Sequence, residues 1–144
     1  MRARVVAEAR HWLGTPYRHQ GALRGAGCDC LGLVRGVWRA LYGHEPEVPP
    51  PYTPDWSEPQ GAEALWAAAS RHLLPVVVAE PGDVLLFRLR AGAVAKHLGI
   101  LSRGGSAPRM IHAYAGHGVT ESPLTPPWAR RVVARFRFPD PAGD

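Results

Sequence analysis

The stretch Gly25-Ala26-Gly27-Cys28-Asp29-Cys30-Leu31-Gly32-Leu33-Val34 constrains this chain more than any other. A glycine-punctuated loop ends at Asp29-Cys30. From there apolar residues recur at Cys30, Val34, Val37, Trp38 and Leu41, the spacing of a helix that buries one face. Gly43 follows Tyr42 as a C′ residue, so the pattern predicts a helix over residues 30–42. Cys30 then lies in the first turn, where unpaired N–H groups and the positive end of the macrodipole favour negative charge. A thiol there is expected to have a lowered pKa, to be nucleophilic, and to alkylate faster than Cys28 at mildly acidic pH. The same N–H groups can donate to an oxyanion. A small buried hydrophobe is the plainer role for a cysteine. The glycine-rich approach and the acidic neighbour Asp29 argue for a site, and a partner histidine has to decide.

The bulk properties mainly exclude. A chain of 144 residues, 46% hydrophobic and 20% charged, is expected to form one globular domain over residues 1–144. No apolar run approaches the length of a membrane span, so membrane insertion is not expected. The N-terminus Met1-Arg2-Ala3-Arg4-Val5-Val6 lacks the apolar core of a signal peptide, which predicts synthesis in the cytoplasm and export by another route. The net charge is +5, and sixteen of the seventeen basic residues are arginine. They are scattered, with no basic run interleaved with aromatics, so nucleic acid is not expected as a partner. Cys28 and Cys30 are too close for a disulfide framework. They offer at most half a zinc site, at a spacing tighter than structural sites use.

Along the chain, Val5, Ala9, Trp12 and Leu13 share one face of a first helix over residues 3–13, ended by Gly14-Thr15-Pro16. Tyr17 and His19 follow in a loop. Residues 45–59 are proline-dense and are expected to form an extended surface excursion. A second helix is predicted from about Ala62 to Leu73, with Ser57 and Gln60 as a capping box. Beyond Pro75 the period becomes that of strands: Val76-Val77-Val78-Ala79, Val84 to Leu89, His97 to Ser102, Arg109 to Tyr114 and Val132 to Phe138. Pro81-Gly82 predicts a type II turn before the second of these. In the last strand Val132, Ala134, Phe136 and Phe138 are expected on one face and the arginines on the other. Helices followed by hairpin-linked strands predict an α+β fold, with helices packed on an antiparallel sheet.

Of the seven histidines, His11, His44 and His72 lie on or beside helices and are expected to cover polar surface. His97 opens a strand and His112 lies within the next one. A hairpin between the two places both histidines on one side. Brought to the start of the cysteine helix, that side supplies a nucleophile (Cys30), a base (His97) and an orienting group (His112), the logic of acyl transfer. His117, in the turn Ala115-Gly116-His117-Gly118, competes for the third place.

In order, Gly14-Thr15-Pro16-Tyr17, Gly27-Cys28-Asp29-Cys30-Leu31-Gly32-Leu33, Pro81-Gly82-Asp83, His97-Leu98-Gly99 and Met110-Ile111-His112-Ala113 resemble the NlpC/P60 family of cell-wall cysteine peptidases. The match is most similar to the small versions of phage tails and gene transfer agents. The resemblance implies a papain-like α+β fold and no metal or organic cofactor. It implies hydrolysis of peptidoglycan stem peptides, commonly at the γ-D-glutamyl–diaminopimelate bond. By motif, Cys30 resembles the nucleophile, His97 the base and His112 the third residue. Tyr17 resembles a tyrosine near the oxyanion, and Asp29 a residue binding the substrate's amino end. Phage-tail-like proteins are the implied partners, and a virion or tail acting on the wall the implied location. Two positions depart from the pattern. Leu31 stands where serine is common, and His19-Gln20-Gly21 where a glycine pair often follows the tyrosine. An N-acetylmuramoyl-L-alanine amidase on the same scaffold, or a catalytically silent tail component, are the alternatives.

Overall fold

The computed structural model describes residues 1–52 and 63–140. Four helices and eight strands are present among them. Helix α1 spans Arg2–Arg10, one residue earlier than its pattern begins and followed by turns to Gly14. A two-stranded ribbon, β1 (Ala22–Leu23) and β2 (Gly27–Cys28), leads into α2. Helix α2 is Cys30–Tyr42, as the periodicity predicts, and Gly43 ends it in the left-handed region at φ 83°. Helix α3 is Ala64–His72; Ser57 and Gln60 lie outside the described residues.

The remaining chain builds the sheet: β3 (Leu74–Pro75), β4 (Val84–Phe87), β5 (His97–Arg103), β6 (Arg109–Tyr114), β7 (Gly118–Pro123) and β8 (Val132–Arg137), with the short helix α4 (Pro126–Ala129) before β8. The spatial order is β3-β8-β4-β5-β6-β7, antiparallel throughout. The α+β architecture is the expected one. Val76 to Ala79 does not form its own strand. Leu74 and Pro75 pair with β8 and the Val76 N–H donates to the Arg135 carbonyl, whereas Val77 and Val78 are exposed, because β-branched residues without a pairing neighbour gain nothing from an extended backbone. Conversely, β7 carries little apolar signal and pairs along its whole length with β6.

Each face of the sheet has its own core. Val5, Ala9 and Trp12 of the first helical segment and Leu33 and Val37 of α2 pack on Val84, Leu86, Ile100, Ile111 and Phe136. The helices approach so closely that a Cβ at Gly36 would lie 1.9 Å from the Trp12 ring. On the opposite face Leu85, Phe87, Leu101 and Met110 are covered by Trp128 and Leu124. A register shift between Leu86 and Phe87 bulges β8, so Val132 joins this second cluster while Ala134 and Phe136 stay on the helix side. The simple alternation expected for the last strand therefore holds only from Ala134 onward.

The Pro81-Gly82 turn is wedged between α1 and β5. Gly82 has φ +98°, as a type II turn requires, its N–H donates to the Leu101 carbonyl, and a Cβ there would lie 2.7 Å from the Arg2 carbonyl. Asp83 is fully buried and accepts from the Glu80 N–H and from both Nε and Nη2 of Arg137. At the other side of the sheet, Gly14 donates to the Val119 carbonyl and Val119 donates back to Thr15. The chain leaving α1 therefore runs along β7.

Candidate active site

Cys30 is the first residue of α2, and Asp29 is its N-cap. Aspartate directly before a helical pattern is a recognised start signal; here its Oδ1 accepts from the Gly32 N–H at 2.7 Å. Gly32 is required because the Gly21 carbonyl lies 1.7 Å from where a Cβ would stand. The N–H groups of Cys30 and Leu31 are thus left to the site, and both point toward the thiol. The thiol also donates weakly to the Lys96 carbonyl at 3.9 Å and receives the Leu98 N–H. His97 is the residue between those two backbone groups.

The β5–β6 register, Ile100 opposite Ile111, places Gly99 beside His112 and lets the two histidines meet across the hairpin. His97 Nε2 and His112 Nδ1 are 2.8 Å apart, and His112 Nε2 lies 3.3 Å from Ser122 Oγ on β7. Both imidazoles are buried. Phe87, Tyr114 and Trp128 surround them, with Trp128 centred 5.6 Å from His97 and 5.3 Å from His112. His117 is not part of this chain of contacts; it stacks in the open on Tyr114, 5.5 Å away.

The electrostatics differ from the expectation for a helix N-terminus. Burial pushes the Cys30 thiol up to about 12, and the Asp29 carboxylate adds to the rise. The N–H groups of Leu98, Leu31 and Cys30 work in the opposite direction without overcoming it. Burial likewise pushes His97 down to about 3 and His112 down to about 4. Desolvation acts on every charged form, whereas the macrodipole acts only over the first turn. Burial thus favours the thiol and the neutral imidazole over their charged forms.

Tyr17 bridges to Cys28 at the start of the ribbon, and burial, with the thiol and Asp29 nearby, raises its phenol to about 12. It enters the site as a neutral hydroxyl. Cys28 is fully buried behind the site, with its own thiol pushed up to about 12 by burial. Among the described residues no group of three His, Cys, Asp or Glu side chains is arranged to hold a metal ion.

Three residues that sequence reasoning passed over belong to the site: Ser122, Trp128 and Tyr52. Ser122 lies in the strand whose pattern is weakest, Trp128 in a four-residue helix, and Tyr52 at the end of the described proline run. The Tyr52 hydroxyl donates to Asp29 Oδ2. A mostly apolar cleft of about 620 Å³ opens next to it, lined by Leu31, Val34, Trp38, Tyr52, Leu65 and Leu98 among others. Leu31, Tyr52 and Leu98 join that cleft to the surroundings of the thiol.

A helix-borne cysteine, followed by a histidine at a strand start and a second histidine hydrogen-bonded behind it, is matched over residues 14–137 by the model of the NlpC/P60 family. The chain belongs to the NlpC/P60 family. The γ-DL-glutamyl hydrolase of Bacillus subtilis (strain 168) is 31% identical over 135 residues, covering 93% of this chain and 29% of that protein. The chain thus spans under a third of that relative's length. Among solved structures, the NlpC/p60 domain of the peptidoglycan hydrolase SagA superposes with a TM-score of 0.62 at 25% identity, covering 96% of this chain and 99% of that one. An NlpC/P60 protein of Bacillus cereus ATCC 10987 gives 0.64 at 22% identity, over 96% of this chain and 40% of that one. These likenesses show the papain-like fold of the family.

Proposed function

We propose that this domain is a cysteine peptidase that hydrolyses peptidoglycan stem peptides, cutting the γ-D-glutamyl–diaminopimelate bond. The observation that carries the reading is the Ser122–His112–His97 chain of contacts, which ends at the residue whose two neighbours, Lys96 and Leu98, meet the Cys30 thiol through their backbone. His97 takes the thiol proton as Cys30 Sγ bonds to the scissile carbonyl carbon. The oxygen that becomes negative is met by the N–H groups of Cys30 and Leu31 and the Tyr17 hydroxyl. Collapse breaks the C–N bond, and His97 returns the proton to the leaving amine. Water, deprotonated by His97, then hydrolyses the thioester.

The choice of bond is supported by the relative named for γ-DL-glutamyl hydrolysis and by the domain of SagA, itself named a peptidoglycan hydrolase. Association with a phage-tail-like assembly that carries the domain to the wall is part of the proposal, supported by the sequence resemblance. The test is mass analysis of peptidoglycan digested by the protein and by Cys30→Ser. Fragments with a newly free diaminopimelate amine, absent with Cys30→Ser, are the expected result. Release of whole stem peptides would replace the assignment with an amidase, and no release at all would leave a silent assembly component.

A further inference from the structure

We infer that His19, Gln20 and Tyr52 form a clamp that fixes Asp29 and sets the specificity of the cleft for the substrate residue on the acyl side of the scissile bond. The inference rests on the peptidase reading above for its substrate, and on the geometry for the clamp itself.

The Tyr52 carbonyl is held from two directions, by His19 Nε2 at 2.8 Å and by Gln20 Nε2 at 2.7 Å. The His19 and Tyr52 rings meet edge to face at 5.1 Å. The Tyr52 hydroxyl then reaches back to Asp29 Oδ2, which also accepts the Gln20 N–H at 2.8 Å. The loop after Tyr17 and the end of the proline run are thereby locked together over a carboxylate that is 3% exposed. A carboxylate offers about four acceptor positions. Gly32, Gln20 and Tyr52 occupy three, and His19 Nδ1 stands 3.8 Å from Oδ2, so at most one acceptor is left for the substrate.

Gln20 holds its place in the arrangement at a conformational cost. It sits at φ +64°, and it is the one non-glycine residue with positive φ among those described. Glycine holds that conformation at no steric cost, and a glutamine there is strained. What the glutamine adds is the side-chain amide on the Tyr52 carbonyl. His19 and Gln20 also stand at the positions where the sequence departs from a glycine pair. The clamp is thus a property of this chain's own loop, and its far wall is the same Tyr52 that lines the apolar cleft.

Two variants separate the clamp from the fold. Gln20→Gly relieves the strained φ while deleting the amide, and Tyr52→Phe keeps the ring while deleting the hydroxyl. Without substrate, the rate of alkylation mapped to Cys30 by mass spectrometry should change several-fold in both, at an unchanged melting temperature. On a stem tripeptide with a free amino end, KM should rise about tenfold, the worth of one buried hydrogen bond, with kcat nearly unchanged. On the N-acetylated tripeptide the rise should be smaller. Unchanged alkylation in both folded variants overturns the clamp. So does a fall in kcat at constant KM, or an equal KM rise with both peptides. A parent enzyme that cleaves neither peptide overturns the proposed function alone, and the alkylation rates still decide the clamp.

Discussion

His97 Nε2 lies 2.8 Å from His112 Nδ1, and this contact dictates where the protons of the site must be. For His97 to take a proton at Nδ1, its own proton must sit on Nε2 and be donated to His112 Nδ1. The His112 proton then sits on Nε2 and points at Ser122 Oγ. One tautomer of each ring satisfies the whole chain, so β7 helps set the state of a base two strands away.

Losses on mutation should follow position along that chain. His97→Ala removes the proposed general base and should cost about 10²–10⁴ in kcat. His112→Ala removes one buried hydrogen bond and should cost roughly tenfold, with measurable residual turnover. Ser122→Ala should cost less than His112→Ala, and His117→Ala should stay close to the parent. Turnover of the four folded variants on one muropeptide checks the order. A crippled His117→Ala beside a normal His112→Ala would reverse the roles of the two histidines.

The resting thiol should behave as a thiol. With Cys30 pushed up to about 12 and His97 down to about 3, neither carries charge across the neutral range. The thiolate fraction, and with it the rate of iodoacetamide alkylation at Cys30, should climb steadily from pH 5 to pH 9. A rate already on a plateau at mildly acidic pH would instead show the ion pair expected of a bare helix N-terminus.

Trp128 supplies much of the cover that keeps the imidazoles dry. It touches Phe87, His97, His112 and Tyr114 from a half-buried position. Burial is the main cause of the lowered His97 value, so Trp128→Ala should let it rise toward that of a solvated histidine. Since His97 must be neutral to accept a proton, the acid limb of kcat/KM should move to higher pH. Trp128→Phe should largely restore the parent profile. A pH profile that drops in height without shifting would assign Trp128 a packing role only.

Arg137 should matter for stability and little for chemistry. Its guanidinium makes two hydrogen bonds to Asp83, which is wholly buried. Arg137→Ala leaves that carboxylate without its counter-charge and should cost about 3 kcal/mol by denaturant titration. Asp83→Asn with Arg137→Ala should recover part of the loss, because the buried group is then neutral.

What the sequence disclosed was local, and what it concealed was pairwise. Helix α2, its Gly43 terminus and the Pro81-Gly82 turn each depend on residues adjacent in the chain, and each formed as expected. The His97–His112 contact was legible because two strong strands flank a short turn. Strand β7 was not, since Thr120, Glu121 and Ser122 carry no apolar alternation and take their extended backbone from pairing with β6. Tyr52 was hidden for a related reason: a tyrosine in a proline run gives no sign that its carbonyl will meet Gln20. The thiol was misjudged because first-turn position can be read from sequence, whereas depth of burial cannot.

The pairing of Gly14 and Thr15 with Val119 bears on how the molecule meets its own copies. An open outer strand offers unsatisfied donors and acceptors to any passing chain, and polar β7 would be such a template. The segment leaving α1 occupies the start of that border, at Gly118 and Val119, packed so tightly that a Cβ at Gly118 would lie 2.6 Å from the Thr15 carbonyl. The opposite border is the two-residue β3, where Pro75 has no N–H to offer. Both margins of the sheet are therefore poor starting points for intermolecular strand addition. The residues that cover the start of β7 lead directly into Tyr17, so one short segment both guards the sheet margin and delivers a side chain to the candidate site.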